Sequence, residues 1–264
     1  MNDLRNEADF FNTIAPKIRQ LVQSFHGKAS ISVQKAAADY ATEVDIAVEN
    51  LIVNEIETRF PGDSILAEEG HTDTEIADGR IWIIDPICGT GNIGRGLTCF
   101  CTNIALAYKG ELIASCVIDY SQNDYFWSIG GGTIYQNESV FVPKPKAAGL
   151  GVVIDIDMGA ATKLDAVELQ KYASFVSRFI KDTPYMGQSL DSSLGFMYTA
   201  IGKLDGFLNV YNHPWDICAA AFLIKQAGGV ITELDGSIWN IQSVGAVAAG
   251  DEMIHKKLLE TYNH

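Results

Sequence analysis

The sequence has few basic residues and no long apolar run, and each deficit excludes a class of protein. Its 264 residues include 19 lysines and arginines against 33 acids, which gives a formal net charge of −14. A protein that binds nucleic acid needs a basic face to neutralise phosphates, so we expect no direct nucleic-acid binding. No stretch reaches the roughly 18 apolar residues of a membrane span, so we expect no membrane partner.

Cysteine is also scarce. The five cysteines form no CxxC pair, and a chain of this length does not depend on disulfides for its core. We therefore expect reduced thiols and a cytoplasmic location. The N-terminal stretch is charged throughout and is typical of an amphipathic helix, not of a signal peptide. Hydrophobic residues, in contrast, make up 47% of the chain, which is enough for a substantial core.

Hydrophobic periodicity predicts two halves of different organisation. In the first half it predicts helices over 4–26 and 42–60, strands over 64–67 and 80–84, and a three-stranded antiparallel meander over 98–129. In the second half it predicts strands over 151–156, 205–210, 230–233 and 244–248, and helices over 163–180, 192–202, 215–227 and 253–262. A glycine run and then prolines near 143–146 predict the boundary. We expect an N-terminal α+β half over 1–145, a C-terminal α/β half over 146–264, and an active site between them.

Acidic residues stand at the ends of the predicted helices and strands. Asp45 and Glu49 are four residues apart and share one helical face. Glu68 and Glu69 follow a short apolar strand, and Asp216 stands at a predicted helix start. Taken singly, each acid is explained as a helix-proximal or solvated charge. Only their combination indicates a site.

The segment around Asp85 is more specific. Four apolar residues lead to Asp85 and Pro86, and we expect the proline to end the strand. A run of small residues from Gly89 to Asn92 follows. A helix or tight turn that starts at Gly89-Thr90 would direct free backbone N–H groups at an anion. A divalent cation between Asp85 and a bound phosphate would remove their repulsion, as in metal-assisted phosphate hydrolysis.

The glycines at 89, 91 and 94 also spell the dinucleotide-binding pattern GxGxxG. That interpretation needs an amphipathic helix directly afterwards and an acid roughly twenty residues further on. Residues 92–105 lack helical periodicity, and Glu111 lies in a predicted hairpin turn. We therefore set aside a nicotinamide-dependent enzyme.

The order and spacing of these motifs resemble the inositol monophosphatase family, a branch of the metal-dependent, lithium-sensitive phosphatases. The family pattern D-x-x-T-x-x-D-x-x-x-E is complete from Asp39 to Glu49, and Glu68-Glu69 match its A/G-E-E pattern. Residues 85–93, DPICGTGNI, resemble D-P-[IL]-D-G-T-x-N-[FY], and residues 215–229 resemble the signature that runs from W-D-x-A-A to A-G-G. The resemblance covers nearly the whole chain. It implies a homodimer and the layered αβαβα sandwich of the inositol monophosphatase and fructose bisphosphatase type.

The resemblance also implies two metal positions. Glu68, Asp85 and the backbone carbonyl of Ile87 would hold a first Mg²⁺. Asp85, Asp216 and the residue at position 88 would hold a second. Hard oxygen ligands suit magnesium, so the chemistry agrees with this assignment.

The remaining implied roles concern the water and the phosphate. Thr90 and Asp45, with Glu68 nearby, would orient and deprotonate the attacking water, and a hydroxyl–carboxylate pair is a workable proton acceptor. Backbone N–H groups of Gly89 and Thr90 would hold the phosphate. The implied partner is a small-molecule phosphate monoester.

Cys88 stands where the family pattern has an aspartate that ligates the second metal. A thiol has an ordinary pKa of about 8.5 and is a soft ligand. We therefore expect the second site to be weakened, or changed towards Mn²⁺ or Zn²⁺. Cys88 is interpreted as a softer ligand, as a redox-sensitive switch, or as a sign of lost catalysis. Impairment is favoured over a switch.

The segments that contact the alcohol also depart from the family. Asn209 occupies the position of the family's sugar-binding glutamate, and residues 187–193 read GQSLDSS. Asp191, Ser192 and Asn209 are therefore the candidate substrate contacts, and the substrate need not be an inositol phosphate. Asp191 would suit a cationic group, such as that of an amino-alcohol phosphate. The favoured alternative is that Asp191 caps the following helix.

Two functions remain open at this stage. The first is a magnesium-dependent phosphomonoesterase that acts on a small sugar-alcohol or related phosphate by direct attack of water, with activity reduced by Cys88. The second is a catalytically degenerate member of the family that acts as a binding or regulatory protein, since some members contact the transcription machinery. The intact acids favour the first, while Cys88 and the altered alcohol pocket favour the second.

Overall fold

The computed structural model describes residues 3–25, 31–36, 39–76, 79–143 and 149–264. Its helices are α1 (Arg5–Ser24), α2 (Glu43–Arg59), α3 (Thr90–Ile93), α4 (Ala166–Asp182), α5 (Leu194–Ala200), α6 (Pro214–Gln226) and α7 (Glu252–Asn263), with a 3₁₀ turn over Gly159–Lys163. Its strands are β1 (Ile31–Ala36), β2 (Asp39–Thr42), β3 (Ser64–Ala67), β4 (Arg80–Cys88), β5 (Cys101–Tyr108), β6 (Glu111–Asp119), β7 (Asp124–Ser128), β8 (Tyr135–Gln136), β9 (Ser139–Val140), β10 (Val153–Ile156), β11 (Met186–Gln188), β12 (Gly206–Asn209), β13 (Val230–Thr232) and β14 (Ala246–Ala249). Among the described helices, none has the length and apolar character needed to cross a membrane.

A seven-stranded sheet in the order β3-β4-β5-β6-β7-β8-β9 forms the first half. β3 and β4 are parallel, and the later neighbours are antiparallel. The predicted three-stranded meander is confirmed as β5, β6 and β7. Lys109 and Gly110 join β5 to β6 with φ of 54° and 78°, and positive φ at both central residues matches the strand twist in a tight hairpin.

A five-stranded mixed sheet in the order β11-β10-β12-β14-β13 forms the second half. β10 is parallel to β11 and to β12, whereas β14 is antiparallel to both of its neighbours. The parallel pairs require crossover connections, and α4 and α5 lie along the chain between these strands.

The helices and the two larger sheets stack in five layers, because both of these sheets bury apolar residues on each face. On β4, Trp82 and Ile84 pack in the same cluster as residues of α1 and α2, while Ile81 and Ile83 pack in the cluster that holds α5 and α6. The second sheet has α5 and α6 on one face and α4 and α7 on the other. This alternation along a strand is the period-two pattern of a sheet buried on both sides. The predicted layered sandwich is confirmed.

The expectation that Pro86 ends its strand is wrong. β4 continues through Pro86 to Cys88, and its register with β5 shifts between Asp85 and Cys88. A proline is tolerated at such an irregularity because no ladder N–H is needed there. The Thr102 hydroxyl donates to the Pro86 carbonyl at 2.6 Å, which secures the bulge.

Several short elements were not predicted, namely β1, β2, β8, β9 and β11. β8, β9 and β11 have only two or three residues, too few for any periodicity to be detected. The predicted boundary at 145/146 and the end of the first helix at 26 lie outside the described residues, so the division into two halves at that point stays a prediction.

Gly195 lies at a close contact between α5 and the second sheet. A Cβ at this position would overlap with Asp155 Oδ2 and the Phe207 ring. We expect Gly195→Ala to destabilise the fold by about 1–3 kcal/mol, the usual range for overpacking a core. Urea unfolding would measure this, with Gly79→Ala as control because a Cβ at Gly79 meets nothing within 4 Å. Equal unfolding midpoints for the two variants would contradict this packing.

Candidate active site

Three potential ligand groups meet where β4 ends and α6 begins. Asp85 lies within β4, Cys88 is its last residue, and Asp216 lies in the first turn of α6. One ligand atom from each lies within 4.8 Å of the other two. The structure therefore brings together the three side chains predicted for the second metal position.

Asp85 is the most unusual member of this group. Its side chain is 1% exposed, and neither carboxylate oxygen has a hydrogen-bond partner among the described residues. Burial raises the pKa of Asp85 well above its ordinary value, and the adjacent Cys88 thiol and the negative charges of Glu68 and Asp216 add to the rise. A buried, unpartnered carboxylate among like charges is the arrangement that a cation stabilises.

Glu68 and Ile87, the other residues predicted for the first metal position, lie close by. Glu68 immediately follows β3, and its backbone N–H donates to the Ile84 carbonyl at 3.3 Å. Its charge acts on Asp85, although its carboxylate is outside the 4.8 Å group. The oxygens of Glu68, Asp85 and Ile87 are hard donors that fit Mg²⁺.

Polar and acidic groups surround Cys88. The Ser193 N–H donates to Cys88 Sγ at 3.2 Å, and Cys88 lies opposite Cys101 in the β4–β5 register. A hydrogen bond with the Cys101 thiol and burial raise the pKa of Cys88 well above its ordinary value. Sulfur is a soft donor that suits Mg²⁺ poorly, and a metal-free thiol that keeps its proton reacts slowly with oxidants. The donor set at this second position therefore does not fit Mg²⁺, and the thiol's environment also disfavours the redox-switch interpretation.

Thr90 and Asp45 form the predicted hydroxyl–carboxylate pair. Asp45 is 0% exposed, and Thr90 Oγ1 lies 2.9 Å from both Asp45 Oδ1 and the Ile87 carbonyl. The other oxygen, Asp45 Oδ2, accepts the backbone N–H of Thr42 at 2.8 Å and also the Thr42 hydroxyl. Burial raises the pKa of Asp45, although hydrogen bonds from Thr42 and Thr90 oppose the rise. The pair connects the start of α3 to the start of α2.

The predicted turn at Gly89-Thr90 is confirmed. Gly89 is the N-cap of α3 with φ of 97°, and a Cβ there would lie 3.0 Å from both the Cys99 carbonyl and Ser192 Cβ. Glycine suits this backbone, and the first N–H groups of α3 lack partners within the helix. Asn92 Nδ2 donates to the carbonyls of Cys99 and Leu190 at 2.7 and 2.8 Å. This amide ties the turn to the second half of the chain.

The candidate alcohol contacts differ in their environments. Ser192 is 6% exposed and touches the Gly89 turn. Asn209 is 5% exposed, and its Nδ2 donates to Asp157 Oδ2 at 2.6 Å and to Asn212 Oδ1 at 2.8 Å. Its Oδ1 accepts the Tyr211 N–H at 2.8 Å. Asn209 is thus bound to Asp157.

Asp191 is exposed and has a φ of 52°. The expectation that it caps the following helix is wrong, because the N-cap of α5 is Ser193 and that cap has no side-chain hydrogen bond. Asp191 instead faces Asp155 and Asp157. Burial and the neighbouring carboxylates raise the pKa of Asp155 to about 7 and that of Asp157 to about 6.

Sequence reasoning missed Asp155 and Asp157. The available signal was two acids that alternate with isoleucine in an otherwise apolar strand, at 154–157. Asp155 is fully buried, and its Oδ2 has no hydrogen-bond partner among the described residues. These acids give the alcohol side of the site a negative character.

A layered sandwich with carboxylates gathered at strand ends, beside a turn suited to an anion, defines the class of metal-dependent phosphatases. The chain belongs to the inositol monophosphatase family, because the model of that family matches residues 5–264.

Individual relatives agree with this assignment. Inositol-1-monophosphatase of Bacillus subtilis is 27% identical over 246 residues, which cover 93% of this chain and 91% of the relative. The protein named Nus factor SuhB of Pseudomonas aeruginosa is 31% identical over 234 residues, 86% of this chain and 84% of the relative. The solved structure of the Thermotoga maritima IMPase has a TM-score of 0.82 and 28% identity, and covers 97% of this chain and 96% of its own.

Cys88→Asp tests the donor set directly. We expect the variant to bind Mg²⁺ about 10-fold more tightly or better, since even residues that only orient a ligand change metal affinity by about 10- to 100-fold. Without metal the added carboxylate should lower the melting temperature, and Mg²⁺ should restore it. Isothermal titration calorimetry and thermal melting would measure both effects.

Cys99→Asp is the matched control, because Cys99 is also half-buried but lies outside the ligand group. An equal gain in Mg²⁺ affinity from both variants, or no gain from Cys88→Asp, would contradict the assignment of Cys88 to the metal position.

Proposed function

We propose that the protein is a metal-dependent phosphomonoesterase that hydrolyses a small sugar-alcohol or related phosphate. The observation that carries the proposal is the buried Asp85 carboxylate, unpartnered among the described residues and grouped with Asp216 and Cys88. Membership of the inositol monophosphatase family supports the same reaction class. The metal position lies beside both the Thr90–Asp45 pair and the Gly89 turn.

Glu68, Asp85 and the Ile87 carbonyl would hold Mg²⁺ at the first position. At the second position Asp85, Asp216 and Cys88 mix hard and soft donors, which favours Mn²⁺ or Zn²⁺ over Mg²⁺. Bound cations supply positive charge for the phosphoryl oxygens and acidify water. A weak second position would reduce stabilisation of the leaving group, and with it the activity.

The protein's own residues position the water and the phosphate. The Thr90 hydroxyl donates to Asp45, which leaves the lone pairs of Thr90 Oγ1 to accept a hydrogen bond from water. The raised pKa of Asp45 makes this carboxylate a better proton acceptor than an exposed one. Backbone N–H groups at Gly89 and Thr90 bind the phosphate. Water attacks the phosphorus directly and passes a proton to the Thr90–Asp45 pair. The bond from phosphorus to the ester oxygen breaks, and the alcohol leaves with a proton taken from solvent, without a phosphoenzyme.

The alcohol side of the site favours a substrate other than inositol phosphate. Asn209 is engaged with Asp157, and the charges that act on Asp155 come from the negative Asp157 and Asp191. An amino-alcohol phosphate would bring a positive charge to this region, with Asp191 exposed to meet it.

Two observations favour a second candidate function. The Cys88 thiol replaces a hard ligand, and a relative at 31% identity is named Nus factor SuhB. A catalytically degenerate protein with a binding or regulatory role would not need the second metal. The two functions differ in whether the purified protein releases phosphate.

Phosphate release from a panel of phosphomonoesters tests the proposal. The panel spans inositol, sugar, nucleoside and amino-alcohol phosphates, each with Mg²⁺, Mn²⁺ or Zn²⁺. We expect metal-dependent turnover of one class, and Asp85→Asn should abolish it because the shared metal ligand is lost. If a folded protein releases no phosphate with any metal, the enzyme proposal fails and the binding role is favoured.

Thr90→Ala tests the proton acceptor. We expect kcat to fall by about 10²- to 10⁴-fold, the range for removal of a general base. KM should change little, because alanine keeps the backbone N–H that faces the phosphate. Thr98→Ala is the control, since Thr98 is exposed a few residues further along the same segment. Equal kinetics for the two variants would remove Thr90 from the mechanism.

A further inference from the structure

We infer that Glu49 is a positioning residue that fixes the backbone next to Glu68 and so orients this carboxylate toward the metal. Glu49 lies on α2 and is 4% exposed. Its Oε2 accepts the backbone N–H of Glu69 at 2.8 Å, and its Oε1 accepts that of Gly70 at 2.7 Å. The role as a metal-orienting residue rests on the proposed function.

The loop held by Glu49 is short and closed at its base. The Ala67 N–H donates to the His71 carbonyl at 3.3 Å, so Glu68, Glu69 and Gly70 form the tip. The Glu68 N–H donates to the Ile84 carbonyl, and the Glu49 carboxylate accepts the N–H groups of the next two residues. Three consecutive backbone donors, starting with that of Glu68, are therefore fixed, and with them the direction in which the Glu68 side chain leaves the backbone.

The site requires a carboxylate at position 49. Two oxygens accept two N–H groups at once, whereas a glutamine amide offers one acceptor and would turn a donor toward the second N–H. Glycine at position 70 leaves room for this contact, because a Cβ there would lie only 2.9 Å from Glu49 Oε1. His71 Nδ1 lies 3.5 Å from the same oxygen.

Glu49 also shares a helical face with Asp45. The two residues are one turn apart on α2, and both are buried. Asp45 aligns Thr90, and Glu49 aligns the Glu68 loop. The same rigid helix thereby sets the distance between the proton acceptor and a metal ligand, a function that a merely space-filling acid would not have.

Glu49→Gln and Gly70→Ala test this inference from the two sides of the contact. Glu57→Gln is the matched control, because Glu57 is an exposed glutamate on the same helix. In metal-free protein, hydrogen exchange of the 66–72 segment should be about 10-fold faster in both test variants, since a broken hydrogen bond promotes local opening. Mg²⁺ affinity by calorimetry should fall about 10- to 100-fold, with far-UV spectra unchanged.

The outcomes separate the inference from the function on which it rests. Unchanged exchange in the 66–72 segment, or faster exchange with unchanged Mg²⁺ affinity, would overturn the positioning role while the proposed function stands. A wild-type protein that binds none of Mg²⁺, Mn²⁺ and Zn²⁺ would overturn the proposed function, and the metal role of Glu49 with it. If Glu49→Gln fails to fold, Gly70→Ala still decides, because it leaves the buried carboxylate in place.

Discussion

The rest of the site depends on one unfavourable arrangement, the buried carboxylate of Asp85 among other negative groups. Transfer of a charged carboxylate from water to a protein interior is costly unless the charge is paired. The charges of Glu68 and Asp216 add to the repulsion, and together with burial and the adjacent Cys88 thiol they raise the pKa of Asp85. Either a proton or a bound cation relieves this repulsion, but only a cation can be coordinated by all of these groups together.

The layered fold prevents the cluster from relaxing. Successive residues of β4 are buried in the cores on opposite faces of the first sheet, and side chains in well-packed cores cannot shift without loss of contacts. The strand that carries Asp85 is therefore held from both sides. Its irregular end, secured by the bond from Thr102 to Pro86, turns Cys88 toward Asp216. The same repulsion between carboxylates would push an exposed loop apart, but here the packing of β4 holds the groups together.

The sequence was sufficient for long periodic elements and for motifs with fixed spacing, but not for contacts between distant segments. α2 and the β5–β7 meander were predicted because their apolar patterns are long. Pro86 was misjudged, because a local rule about proline does not show where the sheet register shifts. Asp155 and Asp157 were missed, because their significance lies in their approach to Asp191, which is more than thirty residues away. Asn209 was identified by position, whereas its bond to Asp157 is visible only in the structure.

The start of α2 shows how helix capping and site geometry are linked. Asp45 Oδ2 completes the capping box with Thr42, so this oxygen cannot rotate away without exposing the helix end. The position of Asp45 Oδ1 is then fixed as well, and Thr90 Oγ1 lies 2.9 Å from it. One turn further, the buried Glu49 receives the backbone of the Glu68 loop. The capping interaction that starts the helix therefore also fixes the orientation of the proton acceptor. Because the helix is rigid, it also fixes the position of the loop that carries the metal ligand Glu68.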